Sequence, residues 1–285
     1  MADILHLESP AKVNLRLDIL RKREDGYHEI RTILQKISLY DSLHFSLKKG
    51  RGISIKTDHP ELPVGRGNLV YQAVESMLRR GGYKGGVIVE IEKRIPLGAG
   101  LGGGSSNAAV ALKAMNQLLE INLGKKELMA IGLEMGADIP FFFFNGAAIA
   151  SGIGERLRRI ELPRLWYVLI YPNFEVSTRW AYQNFVLTKS RFRFNLRKLL
   201  GSPEEVSRLL SNDLEGVVSK RHPQIEQMKR ILYAAGAIGA SMTGSGPTVF
   251  GIYPDEGGAI EAYEKIRRMV RGKGWIVLKA KSLLA

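Results

Sequence analysis

The sequence predicts an α+β protein of two domains, and three observations carry the prediction. At 285 residues, with roughly 150 residues to a domain, the chain has room for two domains that each bury a sizeable core. Its opening segments alternate apolar and polar residues with the period of two that marks half-buried strands. A fresh strand pattern at Trp166–Tyr171 then opens a second set of strands and helices.

Taken in order, Ala11, Val13, Leu15, Leu17 and Ile19 are apolar, with Lys12, Asn14, Arg16 and Asp18 between them. Ala11–Leu20 therefore reads as a strand that sets Lys12 and Asn14 on one face. A turn at Glu24-Asp25-Gly26 follows, then strand-like runs at 30–39, 42–47 and 53–57, expected to pair as an antiparallel sheet. Asn68 stands where it would cap a helix through Leu78 that Gly81-Gly82 ends. Gly86–Glu92 alternates again as a strand, and helical patterns run to about Leu119 and from Lys125 to Met135. A boundary near Arg156 divides the chain into an N-terminal domain, residues 1–156, and a C-terminal domain, residues 157–285. The second carries helical patterns at 178–185, 203–210, 224–235 and 258–270, with strands at 166–171, 248–253 and 275–279. No fixed-period repeat or low-complexity tract interrupts it.

Composition excludes several chemistries. With no cysteine there is no disulfide framework, thiolate nucleophile, iron–sulfur cluster or zinc ribbon, and any metal falls to oxygen or imidazole ligands, which favours hard ions such as Mg²⁺. The charge balance of 42 Lys+Arg against 28 Asp+Glu, net +14, fits nucleic acid, an anionic membrane surface or a small polyanionic substrate, and does not choose among them. Met1–Pro10 lacks the basic region and apolar core of a signal peptide, so a cytoplasmic protein is expected. The uncharged stretch Ile139–Gly154 is broken by Pro140, Asn145 and glycines and falls short of the ~20 apolar residues of a membrane span, so no membrane association is expected.

The densest punctuation is the loop Pro96-Leu97-Gly98-Ala99-Gly100-Leu101-Gly102-Gly103-Gly104-Ser105-Ser106, set between a strand and an Ala-rich helix. Glycines let backbone approach a ligand closely, and the helix start offers unpaired N–H groups at the positive end of a dipole, which suits phosphate. The competing reading is a flexible linker capped by Ser105 or Ser106. A Walker loop is excluded, because Gly103 is followed by Gly104 and Ser105 rather than Lys-Ser/Thr. Gly98, Gly100 and Gly103 satisfy G-x-G-x-x-G, but the Lys93-Arg-Ile-Pro96 insert and the antiparallel look of the preceding strands argue against a dinucleotide fold. No protein-kinase signature appears.

Ser9-Pro-Ala-Lys-Val-Asn14, Asp25-Gly-Tyr-His28, Lys93 through Ala109, Gly136-Ala-Asp-Ile-Pro-Phe-Phe142 and Met242-Thr-Gly-Ser-Gly-Pro247 together resemble the GHMP small-molecule kinase superfamily. These motifs extend from residue 9 to residue 247. Asp-Gly-Tyr-His and Gly-Gly-Gly-Ser-Ser-Asn narrow the resemblance to the branch whose small-molecule substrate is CDP-methylerythritol.

The resemblance implies an N-terminal domain like ribosomal protein S5 domain 2, a C-terminal GHMP domain, ATP as phosphoryl donor and Mg²⁺ beside it. It implies Lys12 and Asp138 as the catalytic pair. Pro96 through Ser106, with Asn68 and Lys93, would bind ATP. Asn14, Tyr27, His28, Thr178, Tyr182, Gly244, Ser245 and Gly246 would bind substrate, with His28 reading the cytosine edge and Tyr27 stacking on the ring. Trp180 competes with Tyr182 as second stacking residue, and Ser105 or Ser106 is the motif-based magnesium contact.

Each residue also has a plain structural alternative. Asp138 could bond backbone at a helix end, Lys12 and Lys93 could be solvated strand lysines, and Asn68 could be only a helix cap. Asp25–His28 could be only a turn, and Gly244–Gly246 only a hairpin turn. Lys189–Lys198 interleaves basic and aromatic residues as a nucleic-acid patch would, but reads better as a solvated connector, since no nucleic-acid-binding motif accompanies it. No nucleic-acid partner is expected, and the oligomeric state is left open between monomer and weak dimer. Two rivals stand beside the main reading: a GHMP kinase for homoserine, mevalonate or a sugar, and an S5-like nucleic-acid-binding protein.

Overall fold

The computed structural model describes residues 4–187 and 201–284; the basic stretch Lys189–Lys198 lies outside them. Contacts divide the chain into two units that interleave along the sequence. One holds Met1–Ala11, Leu39–Leu97 and Gly102–Phe144, the other Lys12–Ser38, Gly98–Leu101 and Asn145–Ala285. Two strands, β1 (Ile4–Lys22) and β2 (His28–Lys48), are long enough to contribute to both.

In the first unit the latter half of β2 pairs antiparallel with β4 (Gly86–Glu92), from Ser42 opposite Glu92 to Lys48 opposite Gly86. β4 pairs in parallel with β3 (Gly52–Thr57). This corrects the expected antiparallel sheet: residues 58–85, which include α1 (Leu69–Arg80), supply the dozen or more residues that a parallel crossover needs. α1 packs on α2 (Gly103–Leu118), and α3 (Lys125–Met135) leads through Gly136 to a 3₁₀ turn at Ile139–Phe143. Leu43, Phe45, Val87, Val89, Met77, Leu112 and Phe141 are buried at its centre.

The sequence also divides β2 into two strands, at Tyr40-Asp41, whereas the structure runs it unbroken. Asp41 lies on the same inward face as Leu43 and Phe45 and is buried with them. An acid among apolar residues resembles a break until its partners are known.

In the second unit β1 and β2 meet at the turn where Arg23 N donates to Tyr27 O. β2 pairs antiparallel with β5 (Ala147–Gly152), which pairs with β6 (Arg156–Ile160). On its other side β1 pairs in parallel with a two-residue strand, β8 (Ser211–Asn212). A separate antiparallel sheet has the order β11 (Ile276–Lys281), β7 (Trp166–Tyr171), β10 (Val249–Tyr253), β9 (Gly239–Met242). α4 (Thr178–Gln183), α5 (Pro203–Ser207), α6 (Glu215–Arg221), α7 (Gln224–Ala234) and α8 (Glu256–Met269) complete it. Ile170, Val249, Leu232, Met228 and Ile266 are buried together.

Candidate active site

In the second unit a strand, a glycine loop and a hairpin loop are tied by one set of hydrogen bonds. Lys12 and Asn14 lie on one face of β1, as the period of two requires, and Lys12 Nζ donates to Asn14 Oδ1 at 2.6 Å. The same nitrogen donates to Gly100 O at 3.0 Å, and Lys12 N to Leu101 O at 2.9 Å. Thr243 Oγ1 accepts from Asn14 N at 2.9 Å and donates toward Asn14 Oδ1 and Gly100 O, each at 3.3 Å. Asn14 Nδ2 donates to Thr32 Oγ1 at 2.8 Å. Lys12 is only 4% exposed, which removes the solvated-lysine alternative.

Glycine is required where these backbones meet. Gly100 has φ of 76°, and a Cβ there would collide with the Thr243 carbonyl. Gly244 has φ of 58°, and a Cβ there would sit 3.4 Å from both Lys12 Nζ and Asn14 Oδ1. Thr243–Thr248 is a hairpin connection between β9 and β10, as its alternative reading held, and it also packs on the first loop.

The residues predicted to hold a base are partly assembled. The His28 and Tyr182 rings lie 5.2 Å apart, tilted by 31°. Thr178 Oγ1 and Ser245 Oγ are 2.8 Å apart, which joins α4 to the hairpin loop. Trp180 instead meets His222 edge-on, with the Arg221 guanidinium 4.7 Å over its ring. Tyr27 follows a turn in which its N–H donates to Asp25 Oδ1, and at 61% exposure its side chain stands in solvent. Burial, with a smaller push from Lys22, lowers the His28 pKa, so the neutral imidazole, one donor and one acceptor, persists to more acidic pH.

In the first unit the loop's other half opens α2. Gly102, at φ of 71°, occupies the N-cap position and no side chain caps the helix. The capped-linker alternative therefore fails, and the first-turn N–H groups have no side-chain cap. Ser106 Oγ accepts from Ser9 Oγ at 2.8 Å and is fully buried. Of the two serines, Ser105 is the more accessible.

Lys93 is not solvated: its side chain is 2% exposed, and Nζ donates to Asp41 Oδ2 at 2.7 Å and to Ile95 O. Asp41 Oδ1 accepts from Arg94 N and Ile95 N, both at 2.8 Å. Burial lowers the Lys93 pKa and Asp41 opposes that shift. Lys93 and Ile95 lie against Gly103, so this pair braces the start of α2. Asn68 caps α1 by accepting from Val70 N at 2.8 Å, and its amide donates to Pro63 O. Asp138 precedes the 3₁₀ turn but makes no side-chain capping bond to it.

Family models match both halves of the chain: residues 68–146 fit the GHMP kinases N terminal domain and residues 195–272 the GHMP kinases C terminal model. The 4-diphosphocytidyl-2-C-methyl-D-erythritol kinase of Geobacter sulfurreducens is 44% identical over 280 residues, covering 98% of this chain and 99% of the relative. The enzyme of that name from Syntrophus aciditrophicus is 48% identical over 262 residues, covering 91% and 93%. The chain belongs to the GHMP kinase family. A solved structure of a 4-(cytidine 5'-diphospho)-2C-methyl-D-erythritol kinase superposes with a TM-score of 0.84 at 33% identity, covering 99% of this chain and all of the other.

GHMP kinases are ATP-dependent small-molecule kinases, and in this GHMP kinase sequence reasoning missed two supports. Asp41 was legible in principle, because its position in the alternation puts it on the inward face. Asn212, on the short strand β8, gave no local signal.

Proposed function

We propose that this chain transfers the γ-phosphoryl group of ATP to the 2-hydroxyl of 4-diphosphocytidyl-2-C-methyl-D-erythritol, a step in making isoprenoid precursors. The observation that carries it is the Lys12 network, in which one buried ammonium joins Asn14 to the Gly100 carbonyl, next to Thr243 of the second glycine loop. Phosphoryl transfer asks a protein mainly for such positioning and charge stabilisation. The acceptor is proposed from the relatives' names and from the His28–Tyr182 pair.

In this reading the first-turn N–H groups of α2 and the loop Pro96–Ser106 hold the phosphates, and Asn68 and Lys93 belong to the ATP side of the site. His28 and Tyr182 take the cytosine, Tyr27 closes on it from its exposed position, and Thr178, Asn14 and Gly244–Gly246 orient the rest. The acceptor hydroxyl gives its proton to Asp138 while its oxygen bonds to the γ-phosphorus. The bond from that phosphorus to the β–γ bridging oxygen breaks, and ADP leaves. Lys12 offsets charge on the transferred group.

Magnesium fits this donor set as an ion carried by the nucleotide. The described residues hold no group of three His, Asp or Glu side chains placed to hold a metal ion, and Mg²⁺ keeps waters and phosphate oxygens, with Ser105 as the available hydroxyl. When bound it would neutralise charge on the β- and γ-phosphates.

The boundary near residue 156, a cytoplasmic location, a monomer or weak dimer and the absence of a nucleic-acid partner are part of the same proposal. Among the described residues no helix is long and apolar enough to cross a membrane. ADP release that depends on the cytidyl substrate, and is absent with homoserine or mevalonate, is the expected assay result. Equal turnover of the three acceptors would contradict it.

A further inference from the structure

The segment Asn212-Asp213-Leu214-Glu215 ties β1, the strand of Lys12 and Asn14, to β9 and the hairpin loop that follows it. In β8, Arg16 pairs with Ser211 and Leu17 with Asn212. Asp213 N donates to Leu17 O at 3.0 Å, and Asp213 Oδ2 accepts from Ile19 N at 2.7 Å. On the other side, Glu215 Oε2 accepts from Met242 N at 2.8 Å, and Glu215 Oε1 pairs with Lys229.

Asn212 makes the link closest to the loop. Its Nδ2 donates to Met242 O at 2.7 Å and to Gly244 O at 2.8 Å, while Oδ1 accepts from Leu214 N at 3.0 Å. A primary amide alone among side chains of this size supplies two donors and one acceptor from one planar group. The two carbonyls it holds flank Thr243, the residue that bonds Asn14 and Gly100.

From this geometry we infer that Asn212 is a positioning residue for phosphoryl transfer, fixing the Thr243–Gly246 loop against Lys12, Asn14 and Gly100. The inference rests on the reading of that loop as part of the kinase site. Asn212 touches none of the reacting groups in that reading and acts through the Met242 and Gly244 carbonyls. Misplacing a catalytic loop by about 1 Å costs on the order of 100-fold in rate.

The test uses the full chain with ATP and the cytidyl substrate, and compares Asn212→Ala, Asn212→Asp and a core control, Val218→Ala. Val218 is fully buried in α6, and its truncation is expected to lower Tm without changing kcat. Asn212→Ala is expected to lower kcat by about 100-fold with the KM for ATP within about threefold. In Asn212→Asp a carboxylate faces two carbonyls, so its kcat relative to wild type is expected to recover as pH falls from about 8 to 6 and the introduced carboxyl becomes a donor. Hydrogen exchange on ligand-free protein gives an independent signal: the Gly246 amide, which donates to Thr243 O at 2.9 Å, should exchange at least about tenfold faster in Asn212→Ala than in Val218→Ala.

A kcat within threefold of wild type together with unchanged Gly246 exchange would overturn the inference. Should wild-type protein fail to phosphorylate the cytidyl substrate, the proposed function fails, and the exchange comparison still decides whether Asn212 holds the loop.

Discussion

Lys12 Nζ lies 2.6 Å from Asn14 Oδ1 and 3.0 Å from Gly100 O, so a strand lysine and a glycine-loop carbonyl share one buried hydrogen-bonded centre. Burying an ammonium is costly unless its donors are used. Here the desolvation cost is met where the loop must be held, and that sets the first prediction. Lys12→Met keeps the length and removes the charge, and is expected to lower kcat by about 100-fold or more while Tm moves by no more than about 5 °C. A folded variant with near-normal kcat would remove Lys12 from the chemistry.

Asp138 joins its 3₁₀ turn through the backbone, its carbonyl accepting from Phe141 N at 3.2 Å, a bond that truncating the side chain leaves in place. Asp138→Ala is expected to reduce kcat by about 10²–10⁴, the range of general-base assistance, with ATP affinity unchanged by calorimetry. Loss of ATP binding in step with turnover would assign Asp138 a different role.

His28 touches Tyr182 and has a pKa lowered by burial and Lys22. A lowered pKa means that the folded protein binds its proton only at more acidic pH, so neutral His28 is present throughout the range above the ordinary value of 6.5. The KM for the cytidyl substrate should stay flat from about pH 7 to 8.5 and rise only at pH below the ordinary imidazole value of 6.5. His28→Ala should raise that KM about tenfold, equivalent to about 1.4 kcal/mol and within the ~1–3 kcal/mol of a base contact, and flatten the acid rise. A KM unchanged by the substitution would contradict its cytosine role.

Asp41 is fully buried and satisfies Arg94 N, Ile95 N and Lys93 Nζ. Asp41→Leu removes the carboxylate to which the buried Lys93 ammonium donates and leaves only the weaker pull of Asp58, a loss of about 3–5 kcal/mol. Thermal unfolding should show a large drop for Asp41→Leu and a smaller one for Asp41→Leu with Lys93→Met. Equal losses in the single and double variants would mean that the backbone bonds from Arg94 N and Ile95 N, and not the ion pair, carry the contribution of Asp41.

Much of the fold was legible in the sequence because its signals are local. Period-two alternation gave β1 and β4, Asn68 with Gly81-Gly82 bounded α1, and the glycine loop preceding Ala108 and Ala109 marked the start of α2. What escaped depends on partners distant in sequence. Asp41 interrupts an apolar run and reads as a break until Lys93, 52 residues away, is found beside it. Asn212 sits in a strand of two residues, too short for any periodic signal, and its function lies in carbonyls 30 and 32 residues on. The motifs named Lys12 and Asn14, but only the fold shows what their shared face is bonded to. The +14 net charge proved least informative, since Lys12 and Lys93, the two lysines that the motifs single out, are both buried and hydrogen-bonded.

The most direct test of the account is the ratio of kcat/KM for the cytidyl substrate to that for methylerythritol phosphate, which lacks the cytidyl group, measured in wild type and His28→Ala. The account predicts a wild-type ratio of at least about 100, from a base contact of ~1–3 kcal/mol reinforced by the second phosphate, and a fall of about tenfold in His28→Ala. A wild-type ratio near one, with ATP consumed equally in both reactions, would contradict it.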